Sequence, residues 1–231
     1  MGEMTGVTTL FFDLFFTLVT PTHDPVDNEY RLMGMTQEEW LGYAETPALV
    51  LDRALGRVRE PEAIMQAVLR TLPFPTPPER AGQLARLRLG RMGKALTEVD
   101  PRVLSTLAAL RERGLRLCLV SNVDTMDTPR WPESPLAPFF EEVLFSWQEG
   151  CAKPDPAFYR RALARMGVPP GEGLFIGDGG SDELAGAHAV GLRTVLTEYM
   201  DVKPPEIRRR VLRDADAVIT DFTQLLTLIE P

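Results

Sequence analysis

Four short segments of this 231-residue chain carry side chains that could act on a phosphoryl or similarly activated group: Asp13 with Thr17, the pair Ser121-Asn122, Lys153, and Asp178 followed by Asp182-Glu183. Taken singly, each has a plain structural use. An acid after a strand caps a turn, and Ser-Asn after a strand caps a helix. A Lys-Pro pair is a solvated charge ahead of a helix, and Gly-Asp-Gly-Gly-Ser-Asp is a turn followed by an N-cap. Taken together they have a shared chemical logic. An aspartate can attack the substrate covalently and split one difficult hydrolysis into two easier steps. A lysine can neutralise that nucleophile and the charge that develops in the transition state. A hydroxyl and backbone N–H groups can hold a phosphoryl oxygen. Two carboxylates at adjacent strand ends can hold Mg2+, which takes oxygen ligands and retains waters.

Such residues act together only if the fold delivers them to one place. Val-Thr-Thr-Leu-Phe-Phe at 7–12 reads as a buried strand that brings Asp13 to its carboxyl end. From Pro101 onward, strands and helices alternate. Strands are expected at 115–120, 143–146, 173–176, 193–196 and 217–219, with helices at 103–113, 156–166 and 183–190, ended by Gly114, Gly167 and Gly191. This alternation predicts an α/β domain, a Rossmann-like parallel sheet with helices on both faces. Ligands of such sheets bind at the carboxyl ends of the strands, where the four segments fall. Between the first strand and the rest, residues 28–94 read as helical, with stretches at 37–43, 48–55, 60–72 and 78–92 and a proline-rich break at 72–78. The division expected is a core of residues 1–20 and 98–231 and a helical insert at 21–97.

The composition narrows the function classes. A formal net charge of −8 and a pI near 4.9 disfavour nucleic acid and anionic membranes as partners. No apolar run reaches the length of a bilayer span, and no basic segment leads into a signal-length apolar stretch. A cytoplasmic protein, monomer or homodimer, is expected. Cys118 and Cys151 are expected as free thiols, and two histidines are too few for a multi-histidine metal site.

The segments resemble the haloacid-dehalogenase-like (HAD) hydrolase superfamily. The first motif is matched by Phe12-Asp13-Leu14-Phe15-Phe16-Thr17-Leu18, and the second by Leu119-Val120-Ser121-Asn122. Lys153-Pro154-Asp155-Pro156 resembles the third, and the run from Phe175 to Ala187 the fourth. The resemblance implies a Mg2+-dependent phosphatase acting on a small phosphorylated metabolite, with Asp13 as nucleophile and the helical insert placed like a cap domain. It further implies that Ser121, Thr17 and the backbone near Asn122 bind the transferring group, and that Lys153 pairs with Asp13. Asp178 would ligate the metal with Asp13 and the backbone carbonyl of Phe15. Asp182 would support the metal, with Glu183 as the alternative. In the cap, Glu29, Tyr30, Met33, Trp40, Tyr43 and Glu45 either line the substrate site or pack the cap's own core.

The chain departs from the family pattern at one place. Phosphatases of this superfamily usually carry a second aspartate two residues after the nucleophile, as general acid and base. Here that position is Phe15, and the following residue, usually glycine, is Phe16. General acid–base catalysis is worth about 10²–10⁴ in rate, so alkyl phosphates should turn over slowly unless another group, such as His23, Asp24 or Asp27, supplies the proton. Two alternatives stand beside the phosphatase: a catalytically weakened protein that binds a phosphorylated ligand or a protein partner, and a 2-haloacid dehalogenase, whose leaving halide needs no proton.

Overall fold

The computed structural model describes residues 4–21 and 28–229. Six strands form one sheet in the order β3-β2-β1-β4-β5-β6, every neighbouring pair parallel. They are β1 (Thr9–Phe12), β2 (Arg116–Ser121), β3 (Glu142–Phe145), β4 (Gly173–Gly177), β5 (Arg193–Thr197) and β6 (Ala217–Ile219). This is the expected parallel α/β architecture.

The strands read as nearly unbroken apolar runs because both faces of the sheet are covered. Alternation along each strand then divides the side chains between two cores. Leu10 and Phe12 of β1 join Leu117, Leu119, Leu174 and Ile176 on one face, and Phe11 joins Cys118, Val120 and Phe175 on the other.

Between β1 and residue 98 the described residues hold five helices: α1 (Glu29–Leu32), α2 (Gln37–Ala44), α3 (Pro47–Ala54), α4 (Pro61–Leu69) and α5 (Arg80–Thr97). Beyond them lie α6 (Pro101–Glu112), α7 (Ser146–Glu149), α8 (Pro156–Met166), α9 (Glu183–Ala189), α10 (Pro205–Val211) and α11 (Leu225–Leu228). Val103, Leu107 and Leu110 of α6 and Leu225 of α11 cover the first face. Phe158, Ala162 and Leu163 of α8 and Leu184 of α9 cover the second. Local chemistry sets the ends. The Asp100 and Asp155 side chains accept from the N–H groups of Arg102 and Ala157, ahead of a proline at the first helical position, and Gly167 closes α8 in the left-handed region.

The helices that follow β1 have a core of their own. Trp40 and Ala44 of α2, Ile64, Met65 and Val68 of α4, and Ala81, Leu84 and Ala85 of α5 form a third cluster, joined by Met126 from the loop after β2. Tyr30 and Met33 pack against it, so these aromatic and thioether side chains stabilise the helical segment. α5 extends past the expected end at Met92. Within it, a Cβ at Gly93 would lie 2.7 Å from Cδ of Arg130, so the glycine lets the loop after β2 approach the helix.

Charged groups also join this segment to the core. Arg53 of α3 and Arg88 of α5 are both buried, and both reach Asp124 in the loop after β2, at 3.1 and 2.9 Å. Arg88 also meets Asp127 at 2.9 Å. Glu45 pairs with Arg53, and Glu29 with Arg91 at 2.7 Å.

Candidate active site

Asp13 stands one residue past β1, and its own N–H still donates to the Ile176 carbonyl at 3.0 Å. The central strand therefore holds the residue rigidly while its carboxylate emerges at the carboxyl edge, buried. The chain then turns back sharply. The Leu18 and Val19 N–H groups both donate to the Leu14 carbonyl, and the Phe16 N–H donates to the Val19 carbonyl at 2.7 Å. The turn puts Phe16 at φ 61, in the left-handed region where a side chain is strained and glycine is the usual choice. It also returns Thr17, whose hydroxyl lies 3.5 Å from Asp13 Oδ2. From the tip of β2, the Ser121 hydroxyl lies 3.4 Å from Asp13 Oδ1. Phe15 is part-buried against the first core.

Lys153 approaches from the loop before α8, with a cis peptide to Pro154. Its buried Nζ meets Asp13 Oδ1, and it meets Glu183 Oε2 at 2.5 Å. The Asn122 side chain fixes the lysine's main chain at two points: its Nδ2 donates to the Lys153 carbonyl at 2.8 Å and its Oδ1 accepts from the Lys153 N–H at 2.8 Å. The side chain of Asn122 thus acts on the lysine loop, leaving its backbone for the phosphoryl-binding role expected there.

Asp178 follows β4 and is buried. Its Oδ1 accepts from the Gly180 N–H at 3.0 Å, and its Oδ2 meets Nζ of Lys203. Glu183 opens α9 and points back under the strand tips. Its Oε1 accepts from the Gly179 N–H at 3.0 Å, and its carbonyl accepts from the Tyr159 hydroxyl at 2.7 Å. Gly177 makes room for it, since a Cβ there would lie 2.1 Å from Glu183 Oε1. Asp182, the first choice for metal support in the sequence, lies elsewhere. It occupies a left-handed position, φ 50, at the kink before α9; its carboxylate is 55% exposed and sits 3.2 Å from Arg210. The longer Glu183 side chain, one residue on, reaches the site that the kink turns Asp182 away from.

Asp13, Asp178 and Glu183 can each offer one carboxylate oxygen, all within 4.8 Å of one another. The electrostatics are those of a closely packed ionic cluster. Burial pushes the Asp13 carboxyl upward, Lys153 opposes this, and Asp178 adds to it. Burial drives Glu183 well above the usual carboxylate range, again with Lys153 opposing and Asp13 and Asp178 adding. Burial alone would lower Lys153, but Asp13 and Glu183 outweigh it and hold the ammonium above its ordinary value. Lys203 behaves likewise: burial opposes its charge, and Asp178 and Asp201 more than restore it.

The sequence reading therefore identified Asp13, Thr17, Ser121, Asn122, Lys153, Asp178 and Glu183, which the fold brings together, and Asp182, which it does not. His23, Asp24 and Asp27 lie outside the described residues. Lys203 and Tyr159 were missed. Lys203 had a legible signal: it follows the end of β5, a strand tip neighbouring the one that carries Asp178.

Asp13 and Asp178, at the tips of neighbouring parallel strands, thus meet Lys153 and Glu183 in one buried cluster, an arrangement suited to an α/β hydrolase. The haloacid dehalogenase-like hydrolase family matches residues 7–190, and the chain belongs to that family. Curated relatives include the phosphoserine phosphatase of Thermus thermophilus, 35% identical over 119 residues, 51% of this chain and 47% of that protein. The glyceraldehyde 3-phosphate phosphatase of Pyrococcus furiosus is 32% identical over 133 residues, 56% and 54% of the two chains. The chain spans about half the length of these relatives. Among solved structures, a dehalogenase superposes with a TM-score of 0.68 at 22% identity, covering 97% of each chain. A HAD-family enzyme of Bacteroides thetaiotaomicron, crystallised with magnesium and inorganic phosphate, gives 0.64 at 16% identity, covering 87% of this chain and 98% of that one. These two likenesses establish the shared fold. Among the described residues, no helix is long and apolar enough to cross a membrane.

Proposed function

We propose that the protein is a phosphatase of small phosphorylated metabolites, working through an aspartyl-phosphate at Asp13. The observation that carries this reading is the single buried cluster in which Lys153 bridges Asp13 and Glu183 beside Asp178. An Asp13 oxygen attacks phosphorus as the bond to the leaving oxygen breaks; water then attacks the acyl phosphate, releases inorganic phosphate and restores the carboxylate. Lys153 favours the ionised form of Asp13 against the cost of burial and meets the negative charge gathering on the phosphoryl oxygens. Ser121 and Thr17, whose hydroxyls flank the two Asp13 oxygens, orient the carboxylate and the incoming group.

Three carboxylates within reach of one another form a hard oxygen donor set that fits Mg2+. Asp178, Asp13 and Glu183 would hold it, and when bound it supplies positive charge against the phosphoryl oxygens. The helices α1 to α5 serve as the cap, held to the core through Asp124, and exclude water from the reaction.

Phe15 gives the reading its particular form. It has no proton to donate, so substrates whose leaving group departs as a stable anion are favoured over simple alkyl esters. Phosphate release across alkyl, aryl and acyl phosphates with Mg2+, beside halide release from 2-haloacids, tests this. Aryl or acyl phosphate turnover that disappears in Asp13→Asn supports it. Turnover that survives Asp13→Asn sinks it, and halide release alone assigns the dehalogenase instead. The same Phe15 supports a second reading, a weakened enzyme that retains phosphoryl binding. Silence in both assays, with a phosphorylated metabolite raising Tm, assigns that one.

A further inference from the structure

The ionic cluster contains one member that the reaction does not need. Among the described residues, Asp13, Asp178 and Glu183 face two ammonium groups, Lys153 and Lys203. Lys153 serves Asp13 and Glu183. The ammonium on Asp178 is that of Lys203, which comes from the irregular segment between β5 and α10. Three contacts hold it: Asp178 Oδ2, Asp201 at 2.7 Å, and the face of the Phe16 ring, 5.4 Å from the centroid. Its side chain is only 18% exposed, so this is not a solvated surface pair. The other Asp178 oxygen already accepts from the Gly180 N–H.

A divalent ion on Asp178 would sit about 2.1 Å from a carboxylate oxygen, and an ammonium on that carboxylate would be a like charge at close range. We propose that Lys203 is a tethered cation that competes with the divalent ion for Asp178, so that metal enters only as the lysine leaves. This rests on reading Asp178 as a metal ligand. The loop is built for that exchange. Asp201, two residues from Lys203, travels with it and keeps the displaced ammonium paired. Glu198 and Arg208 form a two-point ion pair at 2.5 and 3.0 Å, which pins the base of the segment and confines the movement to the residues between them. Phe16, held by the turn after Asp13, supplies an aromatic face for the cation on the nucleophile's side.

Isothermal titration of Mg2+ into the wild-type protein, Lys203→Met and the double variant Lys203→Met/Asp178→Asn tests the exchange directly. Lys203→Met should bind Mg2+ at least about tenfold tighter than wild type, the effect of removing one like charge at contact range. The gain should vanish in the double variant. Equal or weaker binding by Lys203→Met, a gain that survives Asp178→Asn, or no binding by either protein overturns the proposal. Lys203→Gln takes its place if the methionine variant does not fold. Phosphate release, measured in parallel, is a separate readout. Tighter metal binding with no hydrolysis refutes the phosphatase and leaves the competing lysine standing. Hydrolysis with unchanged affinity does the reverse.

Discussion

Asn122 and Lys153 are joined by a closed pair of hydrogen bonds, the amide side chain of one against the main chain of the other, each 2.8 Å long. The lysine that meets Asp13 is thus positioned from β2 as well as from its own loop. Asn122→Ala removes both bonds without touching a reacting atom. It should lower kcat by about 10²-fold through a small misplacement of Lys153, with KM changed much less. Steady-state kinetics on an aryl phosphate check this, and an unchanged kcat would show that the loop holds Lys153 unaided.

Phe15 can be converted into the missing acid. The turn that follows Asp13 is already formed, and Phe15 is only part-buried, so an aspartate can be accommodated. Phe15→Asp should raise turnover of alkyl phosphates by about 10²-fold or more and should have little effect on aryl phosphates, whose leaving groups need no proton. The ratio of the two rates is the measurement. An equal change in both would mean that residue 15 acts on binding and not on proton transfer.

Gly177 and Glu183 form a tight steric pair. Gly177→Ala places a methyl group 2.1 Å from the present Glu183 carboxylate position, so the acid must move away from Lys153. A cost of about 1–3 kcal/mol in urea unfolding is expected for the overpacking, together with lost activity. Combining it with Glu183→Asp should recover part of the stability, since the shorter acid clears the methyl; a strictly additive double variant would contradict the contact.

Asp124 joins the helical segment to the sheet. It is buried and takes both Arg53 and Arg88, and Arg88 Nε has no hydrogen-bond partner among the described residues. Asp124→Asn leaves two buried guanidinium groups under-compensated and should destabilise the fold by about 3–5 kcal/mol. Unfolding followed by tryptophan fluorescence is a suitable probe, because Trp40 lies in the core of the helical segment and Trp131 beside the sheet.

Much of this was legible in the sequence, for physical reasons. Doubly buried parallel strands are short apolar runs that end at polar residues, so Asp13, Ser121 and Asp178 marked their own strand tips. Proline, aspartate and glycine at helix ends marked α6 and α8. What was not legible depended on geometry within one or two residues. Asp182 and Glu183 are adjacent acids, and only the left-handed kink decides which turns inward. Asn122 looked like a ligand-binding residue, and only the loop it faces shows that its amide holds Lys153.

The central place of β1 bears on how the protein is made. Thr9 pairs on one side with Arg116 and on the other with Gly173. The strand that carries Asp13 is synthesised before the other five, yet it gains its neighbours only after the ribosome has added more than a hundred residues for one edge and more than a hundred and sixty for the other. Contacts so distant in sequence form slowly. Until they do, the run Leu-Phe-Phe is an apolar strand with unpaired edges, the kind of surface that chaperones shield during translation.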